Sequence, residues 1–161
     1  MPKTPRNRPR EYRVRPGFPG GAGFRRLGWL ALFGLLLNGN WEWLQTPFYD
    51  DGGVGLNTVV RYRFHCTLVD LLILLGCVAA VSAAARGVAW LRRPTGREMV
   101  ALSLLGTAYT AVSEQINVGL QASWRYSQLM PLVPGTEIGL VPLLQWLVLP
   151  SAAVWLASRA R

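Results

Sequence analysis

Apolar residues along the chain gather into four blocks, at about 27–45, 64–85, 98–121 and 139–157, separated by joints rich in charge, proline and glycine. Each block approaches the roughly 20 residues that a helix needs to cross a hydrocarbon core. The third is the most informative, because Ser103, Thr107, Thr110, Glu114, Asn117 and Gln121 recur at steps of three and four and so share one helix face. Lipid offers such a face nothing to bond, and an ionisable group in hydrocarbon costs about 2.5–3.5 kcal/mol on insertion scales. The stripe is therefore expected to face protein or trapped water.

The first block carries a second one-sided stripe, Asn38, Trp41, Glu42 and Gln45, after which Pro47 is expected to end the helix. The loop expected over 48–63 contains Asp50-Asp51-Gly52-Gly53 but lacks the remaining oxygen ligands of a calcium loop. The second block opens with His65, Cys66 and Asp70 and is then almost purely apolar, with Gly76, Ala80 and Ala84 at the four-residue spacing that lets helices approach closely. A surface loop with Arg86, Arg92, Arg93 and Arg97 follows. Residues 122–138, interrupted by Pro131, Pro134 and Gly135, predict an outer cap or shallow re-entrant segment. In the fourth block, Pro150 predicts a kink near Trp146.

Composition and charge refine this picture. Residues 1–24 hold five prolines, four glycines and scattered arginines with little to bury, which predicts a disordered basic tail attracted to anionic lipid headgroups. Of the 17 basic residues only Lys3 is a lysine, an arginine bias that fits a GC-rich bacterial genome. The basic residues lie in tails and one loop, not along a face beside stacking aromatics, so no nucleic-acid partner is expected. Fourteen of the 17 fall before the first block, between the second and third, or after the fourth; only Arg61, Arg63 and Arg125 lie in the other two joints. The positive-inside rule then puts both termini in the cytoplasm. The expected fold is all-α: a multi-pass, four-transmembrane-helix bundle of the bacterial inner membrane.

This topology brings Glu42, Asp70 and Glu114 to a common depth, each about 7–9 Å below the outer surface at 1.5 Å per residue. Together with His65 they are the candidate catalytic residues, and Asn38, Trp41, Gln45, Thr110, Asn117 and Gln145 are the expected polar seam around them. A metal variant would use His65, Asp70, Glu42 and Glu114, an oxygen and nitrogen set suited to zinc, manganese or iron. A lone histidine and the lack of Glu-x-x-His argue against it. No P-loop, GxSxG, HExxH or GxGxxG occurs, and no cofactor is named by the sequence. Cys66 and Cys77, eleven residues apart, would be about 16 Å apart on a helix, too far for a disulfide.

The runs Asn38-Gly-Asn-Trp-Glu-Trp-Leu-Gln, His65-Cys-Thr-Leu-Val-Asp, Tyr109-Thr-Ala-Val-Ser-Glu and Leu143-Leu-Gln-Trp resemble an uncharacterised group of small bacterial four-span integral membrane proteins. That resemblance implies the bundle and its membrane location and brings no activity with it. Three functional readings follow from the residues. The seam is an enzyme site doing acid/base chemistry on a lipid-soluble substrate, or it fixes helix register in a subunit or assembly factor of a membrane complex, or it binds and passes a proton or cation in a homo-oligomer. The topology is directly testable: reporters fused at the C-terminus and within the Arg92–Arg97 loop should both report cytoplasm, and a periplasmic signal from either would overturn the four-span arrangement.

Overall fold

The computed structural model describes residues 21–160. Most of the tail expected over 1–24 thus lies outside the described residues, while Gly21–Phe24 already belong to the first helix. Among the described residues the fold is all-helical and without strands: α1 (Gly21–Leu44), α2 (Leu56–Ala84), α3 (Gly96–Glu114) and α4 (Leu140–Arg159). Two of the four, α2 and α4, are long and apolar enough throughout to cross a membrane. In α1 and α3 the inward polar residues interrupt the apolar run.

The helix ends follow from local chemistry. Beyond α1, Pro47 falls in the first turn of a 3-10 segment, Thr46–Phe48, that redirects the chain. After α2 the chain adopts left-handed geometry at Arg86 (φ 58°) and Gly87 (φ 139°), and the Gly87 N–H returns to the Ser82 carbonyl at 2.8 Å. The start of α3 is capped by Glu98, whose carboxylate accepts from the Thr95 backbone N–H at 2.9 Å and from the Thr95 hydroxyl. Its far end widens into a π-helical turn, Gln115–Leu120. Helix α4 stays α-helical through Pro150; beside that interruption the Ser103 hydroxyl of α3 donates to the Leu147 carbonyl at 3.1 Å and meets the Ser151 hydroxyl at 3.1 Å.

The helices form a ring in which α1 touches α2 and α4, and α3 packs closely on α4 and least on α2. Arg26, at the start of α1, donates to the carbonyls of Ala157 and Ser158 at 3.2 and 2.7 Å, so the first and last helices are tied at one end. That end also carries Arg86, Arg92, Arg93, Arg97 and Arg159. Its half of the bundle is filled by Leu30, Leu74, Val78, Leu102 and Val154. The expected arginine-rich surface loop contributes to this core as well, because its short 3-10 turn Val88–Arg92 buries Trp90 and Leu91, and the Trp90 indole donates to Ser82 at 2.9 Å.

Burial runs opposite to the usual pattern. Leu72 and Leu104 are 68% and 58% exposed, while Glu42, Gln145 and Glu114 are 4%, 2% and 5% exposed. The small-residue face expected at Gly76, Ala80 and Ala84 packs against no helix of this chain: all three are exposed, and a Cβ at Gly76 would meet nothing within 4 Å. The close approach lies instead at Gly106 of α3, where a Cβ would run into the Trp146 ring of α4. Gly106→Ala should therefore destabilise the protein in detergent by about 1–3 kcal/mol, with partial recovery in Gly106→Ala/Trp146→Phe. Gly76→Ala should be neutral or stabilising. Thermal melts of the three variants check this, and an unaffected Gly106→Ala would refute the close contact.

Candidate functional site

The end of the bundle away from the arginine cluster is polar inside. Its deepest group is the Gln145 amide of α4, which donates to Asn38 Oδ1 of α1 at 2.9 Å and to Asp70 Oδ2 of α2 at 2.8 Å. Both amide hydrogens are used, so one side chain links three helices. One turn further along α1, Glu42 accepts from Gln45 Nε2 at 2.6 Å and lies 3.5 Å from the Arg63 guanidinium. Glu42 and Asp70 come within hydrogen-bonding reach of each other, an arrangement that can hold a proton between them.

Arg63 is the residue that sequence reasoning misplaced. It was expected in a loop, but α2 begins at Leu56, two turns before the apolar block, and Arg63 is buried on its inner face. Its other terminal nitrogen pairs with Asp51 at 3.1 Å, and its guanidinium lies 5.0 Å from the centre of the Tyr49 ring. The acidic loop thus supplies an ion-pair partner, while Asp50 accepts from the Gly52 N–H at 3.0 Å in a local turn.

The third carboxylate is held from above. Glu114, on the last turn of α3, accepts from the Tyr126 hydroxyl and, at 3.3 Å, from the Trp124 indole. The Tyr126 oxygen in turn accepts from the Gly139 N–H at 3.0 Å, at the threshold of α4. Residues 122–138 form the expected cap, an irregular segment bonded across the site to the α1–α2 connection: Asp50 N–H to Arg125 carbonyl at 2.9 Å, and Ser127 N–H to Phe48 carbonyl at 3.0 Å. The Tyr49 and Tyr126 rings meet 5.6 Å apart under that seam.

Between these layers is a cavity of about 640 Å³ lined by Glu42, Asp70 and Glu114. Among the described residues, the occluded atoms Gln45 Oε1 and Arg63 Nε of lining side chains have no hydrogen-bond partner, and Glu42 Oε2 has the Arg63 ion pair at 3.5 Å alone. Native interiors rarely leave such groups unmatched. Tyr62 and His65 of α2 and Tyr109 of α3 also line the space, which puts part of its wall along the loosely packed α2–α3 side.

Of the sequence-predicted residues, Glu42, Asp70, Glu114, Gln45, Thr110 and Gln145 meet at this cavity, and Asn38 joins through Gln145. The others do not share in the network. His65 is exposed at the cavity wall and has no hydrogen-bond or ion-pair partner among the described residues. The candidate metal set His65, Asp70, Glu42 and Glu114 is accordingly not assembled; among the described residues no three such side chains converge as a metal requires. The buried Trp41 indole nitrogen has no hydrogen-bond partner among the described residues. Asn117 turns back to the Ser113 carbonyl at 2.8 Å and Gln121 is exposed, because the π turn breaks the spacing that would have kept them on the face of Glu114. Cys66 and Cys77 are free thiols, as expected.

Compared with family models, curated proteins and solved structures, the chain matches none.

Tyr126 of the cap and Tyr49 of the connection facing it both hold their phenolic protons. Burial pushes the Tyr49 phenol well above its usual range, and the nearby Glu114 charge adds to this; burial and the hydrogen bond to Glu114 do the same to Tyr126. A raised pKa keeps the neutral form through and beyond the pH at which an ordinary phenol ionises, about 10. The tyrosinate absorbance that the folded protein develops around that pH should therefore be equal in wild type and Tyr49→Phe/Tyr126→Phe. A smaller signal in the double variant would show that these phenols ionise normally.

Proposed function

We propose that the chain is a four-span integral protein of the bacterial inner membrane, with both termini cytoplasmic and the cavity in the outer-leaflet half, and that it acts on a lipid-soluble substrate by acid/base chemistry. The observation that carries this reading is the convergence of carboxyl groups from three helices, Glu42, Asp70 and Glu114, on one cavity whose lining still has unmatched polar atoms. Apolar side chains on the outside of all four helices, including Leu32 and Leu36 on α1 and Val100 and Leu104 on α3, support spans for the two helices whose polar inner faces lower their overall hydropathy. The arginine-rich end then faces the cytoplasm.

In this reading the Glu42–Asp70 pair holds and passes a proton, with Arg63 fixing Glu42 and Gln145 fixing Asp70. Glu114 is the second acid/base group, oriented by Tyr126 and Trp124. His65 has no place in the mechanism.

A register-setting subunit or assembly factor is the second reading, favoured by the Gln145 amide and the Ser103–Ser151 contact, which join helices without needing any ligand. Passage of an ion is disfavoured by the packing, since Glu42, Asp70 and Glu114 lie in one half of the bundle and the other half is filled by apolar side chains.

Glu114→Gln separates the two surviving readings, because glutamine preserves shape and can still accept from Tyr126 but cannot exchange a proton near neutral pH. Native mass spectrometry in detergent should find a small lipid-soluble molecule retained by the wild type. Any turnover of that molecule should be lost in Glu114→Gln while thermal stability is kept, whereas Glu114→Leu should lower stability as well. A stable Glu42→Gln/Glu114→Gln protein with full turnover would sink the acid/base role of these carboxyls, whereas a wild type that retains and turns over no such molecule would leave the subunit reading standing.

A further inference from the structure

We infer that the cavity is filled sideways from the outer leaflet, through the seam between α2 and α3, by an amphiphile that keeps its tail among the lipids while its polar end reaches Glu114. The inference rests on the membrane and cavity readings above and adds the route and the class of ligand. It starts from how the four seams of the helix ring are fastened. Glu42 and Arg63 pair across α1–α2, where Gly34 also lies close against Leu74 and Gly39 against Thr67. Gln145 bonds Asn38 across α1–α4, and Arg26 bonds the last turn of α4. Ser103 bonds the Leu147 carbonyl across α3–α4, and Gly106 receives the Trp146 ring there. Among the described residues no hydrogen bond, ion pair or ring contact joins α2 to α3, and these are the neighbours that pack least.

The same seam is where the lining of the cavity comes to the surface. Tyr62 of α2 and Tyr109 of α3 line the cavity and are half exposed, and His65, also exposed, lines it too. A side chain that borders both the interior space and the outside marks a mouth. Tyr62 lies six residues into α2 and Tyr109 five before the end of α3, so the two sit about level, roughly 7–9 Å along their helices from the outer end. Neither hydroxyl has a hydrogen-bond partner among the described residues, whereas the outward side chains Leu32, Leu36, Leu147 and Val148 of α1 and α4 are apolar. Polar groups without partners are costly in hydrocarbon. Here they gather at one seam, where the polar part of a passing ligand can meet them.

The mouth is graded as a leaflet is. Its upper end lies between Val54 of the α1–α2 connection and Ser123 of the cap, both exposed and both lining the cavity, and the space continues inward to Ile73, eleven residues or about 16 Å below Tyr62 along α2. Beyond the end of α1 the connection and the cap are stitched together instead, with the Asp50 N–H on the Arg125 carbonyl at 2.9 Å and the Ser127 hydroxyl on the Pro47 carbonyl at 2.8 Å. Inside, Glu114 Oε1 has no hydrogen bond among the described residues and is not occluded. An amphiphile standing as it does in the leaflet can therefore set its polar end against Glu114 while its tail leaves past Tyr62 and Tyr109 toward the exposed Leu68, Leu72 and Leu105. A detached water-soluble molecule would make no use of the apolar lower reach of the seam.

The test plugs the seam. In a Cys66→Ala/Cys77→Ala chain, Tyr109→Cys, or Tyr62→Cys in a second protein, is coupled to pyrene maleimide, and Val148→Cys on the outside of α4 carries the same group as the control. Each protein is reconstituted in dioleoylphosphatidylcholine vesicles with hexadecanol bearing a diazirine beside its hydroxyl, and is illuminated. Peptide mass spectrometry then reads the label on the buried cavity residues Thr110 and Glu114 relative to Leu36 on the outer surface of α1. Without pyrene, and with pyrene at Val148, Thr110 and Glu114 should be labelled. Pyrene at either tyrosine position should cut that label by about tenfold relative to Leu36, equivalent to about 1.4 kcal/mol of binding. Undiminished cavity label in the plugged proteins, or an equal loss with the plug at Val148, would overturn lateral entry and leave the cavity reading in place. Label on Leu36 with none on Thr110 or Glu114 in the unmodified protein would overturn both.

Discussion

The Arg63 guanidinium is the group on which the polar end of the molecule depends. It lies between Glu42 of α1 and Asp51 of the connecting loop, with the Tyr49 ring beside it, so a single side chain of α2 fixes the first helix, the loop and an aromatic of the cap seam. Both Arg63 and Glu42 are almost wholly buried, and removing one partner of such a pair typically costs about 3–5 kcal/mol because the other charge is stranded. The pair is thus an obligate one. Once it is in place, Glu42 can face Asp70, Asp70 can take the Gln145 amide, and α4 is drawn into the same network.

That network divides the bundle into two halves with different physics. Near the arginine cluster, Leu30, Leu74, Leu102 and Val154 pack as an ordinary apolar core, and between the two halves Gly106 makes room for the Trp146 ring. Near the cap, the helices are joined by amides and carboxylates whose geometry is directional. Packing in the first half can hold the helices together while the second half keeps a cavity and unmatched atoms, a division that ligand sites commonly exploit at some cost in stability.

Much of this was legible in the sequence, for reasons that also explain what was not. Helical spacing identified the inward stripes of α1 and α3 because polar residues in an apolar run have only one place to go. Apolar content, however, marks the middle of a helix and not its ends, so the amphipathic first two turns of α2 were read as loop and Arg63 was set outside the site. The signal was present: Arg63 and Asp70 are seven residues apart, about 20° around a helix, whereas His65 and Asp70, five apart, differ by about 140°. Angular position, not proximity along the chain, separates the buried cation from the exposed imidazole. Tyr126 was out of reach because irregular backbone has no period, and Asn117 because a π turn changes the one it had.

Glu114 shows why the cap and the chemistry cannot be treated separately. Both of its donors, the Tyr126 hydroxyl and the Trp124 indole, go to Oε2, and Oε1 has no hydrogen bond among the described residues. The carboxylate is therefore anchored through one oxygen and has the other to offer a ligand. The same Tyr126 accepts from the Gly139 N–H and sets its ring at a tilt against Tyr49, so the side chain that orients Glu114 also joins the cap to the start of α4 and to the α1–α2 connection. A ligand group that bonded Oε1 would draw charge away from Oε2 and weaken the hold on Tyr126, whereas one that left Oε1 alone would not. A single carboxyl group thus carries both the oxygen that faces a ligand and the bond that fastens the cap.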